Sequence, residues 1–91
     1  MTSDIGYTAI LPEGWQRPRG FSHAVVANGF VFVSGQIPVK PGGKPTQVEG
    51  KTMHEQTRQC LRNVKQILEA SGSSMDKLVK VTVLLVRTDL Y

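Results

Sequence analysis

The chain is short of several things, and each shortage narrows the reading. It has one cysteine, Cys60, in 91 residues, so no intrachain disulfide can form and a disulfide scaffold is excluded. A small domain without that staple fits a reducing compartment and needs another source of stability, for which association of copies is the expected route. No apolar run approaches the length that spans a bilayer. The start, "MTSDIGYTAILPEGW", carries an acid and no basic stretch, unlike a secretory signal, so an intracellular, cytoplasmic protein without membrane contact is expected. Aromatics are few, at 7 %.

What is present is globular: 40 % hydrophobic and 20 % charged residues suit a folded chain rather than a disordered one. The length allows one domain, 1–91, which buries only roughly 60–65 % of its unfolded surface. The net charge of +4 raises the question of nucleic acid, but the basic residues are scattered. Only Arg58, Arg62 and Lys65 share a helical face, without interleaved aromatics, so the charge reads as a solvated surface and nucleic acid is not expected as a partner.

Residues 1–20 are loop-like, punctuated by Pro12, Gly14, Pro18 and Gly20, with room for a short strand around Tyr7–Leu11. Two apolar runs, Ser22–Ala27 and Phe30–Ser34, flank Asn28-Gly29, the dipeptide that supplies the two positive-φ residues of a type I′ hairpin turn. After "FVFVSGQIP" the Pro- and Gly-rich "VKPGGKPTQVEG" reads as an exposed loop. Thr52-Met53-His54-Glu55 has the T-x-x-E spacing of a capping box. The helix that follows has apolar residues at Met53, Cys60, Leu61, Val64, Ile67 and Leu68, close to a 3.6-residue period, and Gly72 marks its end. "LVKVTVLLV", Leu78 to Val86, reads as a strand with Val79, Val81, Val83 and Leu85 on one face. Strand, helix, strand at this spacing predicts a βαβ crossover, hence an α+β fold with a mixed sheet and the helix on one face. A sheet this small under one helix leaves a face and an edge for something else to cover.

Few residues announce chemistry. Cys60 lies on the apolar helix face and reads as a small core hydrophobe. His23 and His54 have no partners at zinc-ligand spacing, so no metal site is expected. The carboxylates form no evident pair. "PGGKPT" imitates a phosphate-binding loop without the strand-to-helix setting that gives such a loop its function. Spacing and composition therefore reach only an α+β domain that associates with itself.

The stretches "GFSHAVVANGFVFVSGQIPV" and "HEQTRQCLRNVKQILEASGSSMDKLVKVTVLLV" go further. They resemble the reactive intermediate deaminase family, RidA/YjgF, also known as the L-PSP endoribonuclease family. Its members carry P-Y-S-x-A, F-V-S-G-Q-[IL]-P, E-Q-[TA]-x-Q-[AC]-x-x-N-[VL] and V-V-K-x-T-V segments, and the match runs from about Gly20 to Tyr91. The resemblance implies a chorismate-mutase-like α+β sandwich and a homotrimer with ligand clefts between subunits. It also implies hydrolysis of enamine and imine acids such as 2-aminoacrylate to 2-keto acids and ammonia, with no cofactor or metal. Phe21, Ser34, Gly35 and Asp89 are then the expected substrate-binding residues: Ser34 ends its strand at the cleft and Gly35 lets the backbone come close. Phe21 stands where the family has tyrosine, keeping the ring without the phenol, and Gly20 replaces the preceding proline. Asp89 falls where many members have asparagine.

The family fold continues with a second helix and two further strands, which bring an arginine that clamps the substrate carboxylate. This sequence matches the N-terminal two thirds of that fold and lacks that segment; Arg87 does not match the arginine's position, so no catalytic residue is assigned. Two alternatives stand beside the deaminase reading: a non-catalytic trimeric ligand-binding or regulatory module, and RNA cleavage of the L-PSP type.

Overall fold

The computed structural model describes residues 6–84. Three strands, β1 (Thr8–Ile10), β2 (Ala24–Ala27) and β3 (Phe30–Val33), form one antiparallel sheet in the order β1-β2-β3. Helix α1 (Met53–Ala70) follows, then a single 3-10 turn at Met75–Lys77. The β2–β3 hairpin turns where its sequence demands. Asn28 and Gly29 have φ of 52° and 81°, the left-handed pair of a type I′ turn, whose twist matches that of the strands it joins. Register places Val25 opposite Phe32 and Ala24 opposite Val33.

Both ends of α1 are built as their residues predict. Glu55 N–H donates to Thr52 Oγ1 at 3.1 Å and Thr52 N–H to Glu55 Oε1 at 3.1 Å, the reciprocal capping box. Gly50, just before it, has φ +91°, and an added Cβ would meet Glu55 Cβ at 2.5 Å, so the approach to the helix admits only glycine. At the far end Ser73 N–H reaches Leu68 O and Gly72 N–H reaches Glu69 O, the bond pair of a Schellman motif.

Alternation along the strands gives the sheet two unlike faces. Ala24, 1 % exposed, lies on the face turned to α1, where Ile67, Leu68 and Val39 complete a small buried core. The opposite face carries Val25, Phe30 and Phe32 and is open. The helix face departs from its apolar pattern: Gln59 and Asn63 are buried while Leu61 is 45 % exposed. Side-chain amides enter that face because loop carbonyls meet them there.

The fold class is α+β, with the helix on one sheet face as expected, but the sheet among the described residues is wholly antiparallel rather than mixed. Of the expected strand Leu78–Val86, residues 78–84 belong to no strand, with Val79 and Val83 largely exposed, while Leu85 and Val86 lie outside the described residues. Parallel strands are stable when both faces are covered, and one helix over three short strands does not supply that cover. Among the described residues no helix is long and apolar enough to cross a membrane.

Candidate functional site

β3 delivers its polar end to a cleft on the open face of the sheet. The cleft, about 530 Å3, is walled by Val25 and Phe32 from the strands, Phe21 and Ser22 from the segment entering β2, Tyr7 ahead of β1, and Ser34. Ser34 follows Phe32 by two residues, so strand alternation turns both to the same side.

Ser34 is held at two points. Its N–H donates to His23 O at 2.9 Å, extending the hairpin ladder one step past β3, and its hydroxyl donates to Ser22 O. With the proton so engaged, the oxygen's remaining lone pairs can accept from a ligand N–H. His23 behind it is fixed edge-on to Trp15, ring centroids 4.8 Å apart. Its Nε2 donates to Gln16 O at 3.0 Å, since a carbonyl can only accept. Trp15 Nε1 donates in turn to Gln66 Oε1 on α1 at 3.0 Å, so the N-terminal loop is tied to both layers.

Of the residues expected to bind substrate, Phe21 and Ser34 meet in this cleft. Phe21 is 58 % exposed, its ring 6.3 Å from that of His23. Gly35 comes next along the chain, exposed, with no protein atom within 4 Å of where a Cβ would sit. The fold itself therefore does not require glycine there, and the free space opens outward. Asp89 lies outside the described residues. Tyr7 was not singled out from the sequence. It brings a phenol to the cleft beside Phe21, whose family counterpart carries one, and the only signal was its place at the start of a possible strand.

Among the described residues the cleft wall contains three hydroxyls, from Tyr7, Ser22 and Ser34, and no charged side chain. It can orient a small polar ligand but does not by itself neutralise a carboxylate. Among the described residues no three His, Cys, Asp or Glu side chains gather to hold a metal ion. Burial pushes the Cys60 thiol up, away from the thiolate form that reacts. The basic residues Arg58, Arg62 and Lys65 line a separate groove of about 500 Å3 on the outside of α1, over Leu61 and Met75. There Arg58 Nη2 donates to His54 Nε2 at 2.8 Å.

Comparison with known proteins agrees with this architecture. The family model described as Endoribonuclease L-PSP matches residues 15–91. A RutC family protein of Pyrococcus horikoshii is 43 % identical over 77 residues, 84 % of this chain and 60 % of its own length. Protein HMF1 of Saccharomyces cerevisiae is 46 % identical over 65 residues, 71 % of this chain and 48 % of its own. Among solved structures, yeast Mmf1 superposes with a TM-score of 0.67 at 37 % identity, covering 77 % of this chain and 54 % of that one. The Rid-family protein YyfA of Yersinia pestis gives 0.70 at 31 % identity, covering 80 % and 57 %. The chain thus spans about half to three fifths of the length of these relatives. A matched family model over most of the sequence and the shared fold lead to one conclusion: the chain belongs to the endoribonuclease L-PSP family, that is, RidA/YjgF.

Proposed function

We propose that the Phe21–Ser34 cleft binds small 2-imino and 2-keto carboxylic acids, and that the chemistry it serves is imine and enamine hydrolysis. In that reaction water adds across the C=N bond, the C–N bond breaks, and a 2-keto acid and ammonia leave. The observation that carries the reading is the convergence of Phe21 and Ser34 on one cleft at the end of the family's F-V-S-G-Q-I-P strand. Ser34 Oγ accepts from the substrate nitrogen, the aromatic walls exclude bulk water from one side, and fixed geometry lowers the entropic barrier to water attack. Because the described wall carries no cation, the carboxylate partner comes from outside it. A homotrimer, in which another copy lines the same cleft, is part of this proposal. So are a single domain over 1–91, a cytoplasmic location, and action without cofactor or metal.

A second reading keeps the cleft without turnover. The uncharged wall and the phenylalanine at position 21 favour it. One assay separates the two. Freshly generated 2-aminoacrylate is offered to the purified protein, and ammonia release is followed beside the melting temperature in pyruvate. Release above buffer, reduced about tenfold or more in Ser34→Ala as one ligand hydrogen bond is lost, supports the deaminase. A pyruvate-dependent rise in melting temperature without ammonia supports the binding module. Neither effect removes both readings. RNA cleavage fits less well, because the basic groove over Leu61 and Met75 holds no Phe, Tyr or Trp among the described residues, and its His54 ring is bound to Arg58; a labelled RNA remains intact in the same preparation.

A further inference from the structure

Past Ser34, β3 leaves the hairpin ladder, and the next carbonyls have no strand to pair with. Side chains of α1 take several of them, beside two backbone bonds, Val39 N–H to Ile37 O and Glu49 N–H to Pro38 O, each 2.7 Å. Asn63 Nδ2 donates to Ile37 O at 3.1 Å and to Val39 O at 2.9 Å. Cys60 Sγ lies 3.5 Å from Gln36 O, and Gln36 Nε2 turns back to Ser34 O at 3.2 Å. Gln59 Nε2 donates to Asn63 Oδ1 at 2.9 Å, which fixes the orientation of the Asn63 amide so that its nitrogen faces the carbonyls. Asn63 is 3 % exposed and Gln59 7 %. Burying two amides in a core this small is unfavourable unless they are hydrogen-bonded. Here Asn63 spends its amide nitrogen on the stretch directly behind the cleft, and Gln59 spends its own on Asn63.

We propose that Asn63, oriented by Gln59, is a positioning residue for the cleft: it sets where Ser34 and Gly35 stand and thereby how tightly the cleft holds its ligand. The inference rests on the reading of the cleft as a ligand site. Neither side chain touches that site. Their effect passes through the backbone from 39 back to 34, which side-chain bonds anchor at Ser34, Gln36, Ile37 and Val39. An apolar residue at 63 would remove these anchors, and one at 59 their orientation, leaving the segment its backbone bonds, Val39 N–H to Ile37 O and Glu49 N–H to Pro38 O, with more room to shift against β3.

The test uses the full chain, labelled with 15N, as wild type, Asn63→Asp, Gln59→Met and the core control Ile67→Val. Amide signals and hydrogen exchange at Ser34 and Gly35 are recorded first without ligand, then during titration with pyruvate. Asn63→Asp and Gln59→Met are expected to displace both amides, speed their exchange, and weaken pyruvate binding about tenfold, the scale of one well-placed hydrogen bond. Ile67→Val lowers stability but leaves these amides and the affinity as in wild type, which separates positioning from general loosening of the fold. Should Asn63→Asp not fold, Gln59→Met still decides, since it leaves the Asn63 donors in place and removes only their orientation. Unmoved Ser34 and Gly35 amides in the folded variants, or an equal displacement in Ile67→Val, overturn the inference. Absence of any pyruvate response in wild type sinks the ligand reading instead, while the ligand-free amides still decide the positioning role.

Discussion

Glu55 is made more acidic chiefly by hydrogen bonds from its neighbours, with the nearby His54 adding a smaller electrostatic pull. Its Oε1 accepts from Lys51 N–H at 3.0 Å, from Thr52 Oγ1 at 3.1 Å and from Thr52 N–H at 3.1 Å. These bonds, the Lys51 amide foremost, hold the carboxyl below its ordinary value of 4.5. A carboxyl that is more acidic folded than unfolded adds stability above its unfolded pKa, and that contribution disappears as pH falls through the folded value. Wild type is therefore expected to lose stability to urea as pH is lowered past 4.5, with Glu55→Gln flatter over the same interval because its cap does not titrate. Asp76, also lowered, by the Ser74 hydroxyl first, contributes equally to both proteins, so the difference between them isolates Glu55. Thr52→Ala removes the other half of the box and costs about 1 kcal/mol at neutral pH. A urea midpoint whose pH dependence is identical in wild type and Glu55→Gln contradicts this account.

The β2–β3 hairpin depends on one non-glycine residue at positive φ, Asn28 at 52°. Asparagine tolerates that region and β-branched residues do not. Asn28→Val is expected to cost roughly 1–2 kcal/mol, and Asn28→Gly to remain near wild type in thermal melts; equal melting of the two variants excludes the turn as the source. The hairpin was legible in the sequence because a type I′ turn is specified by two adjacent residues. The capping box and the Gly72 stop were legible for the same reason, their partners lying within one or two turns. The buried Gln59–Asn63 pair was not, since hydrophobic periodicity does not register an amide that becomes buried by meeting distant carbonyls. The apolar alternation of Leu78–Val86 reads as a paired strand, but its described part, 78–84, is unpaired, since pairing depends on a neighbour that local pattern cannot supply. In the site, Phe21 and Ser34 were reached through the family motif rather than through spacing. Tyr7 escaped because nothing near it in sequence marks it as polar lining; only the β1–β2 register, Ala9 opposite Val25, brings its segment to the cleft.

At the scale of the whole molecule, the open sheet face is the feature that one copy leaves unresolved. Phe30 and Phe32 are 54 % and 59 % exposed, with ring centroids 6.3 Å apart, and Phe21 continues the apolar surface to the cleft. A contiguous aromatic patch on a chain of 91 residues is what an associating surface looks like, and the core of Ala24, Val39, Ile67 and Leu68 is small for a chain that must stand alone. Because Val25 and Phe32 belong both to this face and to the cleft wall, association here would set residues of another copy at the cleft's rim. That is also where the cleft wall, uncharged among the described residues, needs a cation to hold a carboxylate. Site and assembly would then be one device, with each copy supplying a part the other does not show. Sedimentation equilibrium decides this: the proposed homotrimer has three times the 10.0 kDa chain mass, and Phe30→Lys, which places a charge on the patch without touching the cleft wall or the α1 side of the sheet, returns it to single chains. Loss of the pyruvate response in that folded monomeric variant would tie binding to assembly. A wild-type mass of one chain at every concentration removes the trimer, and with it the only source of charge this proposal gives the cleft.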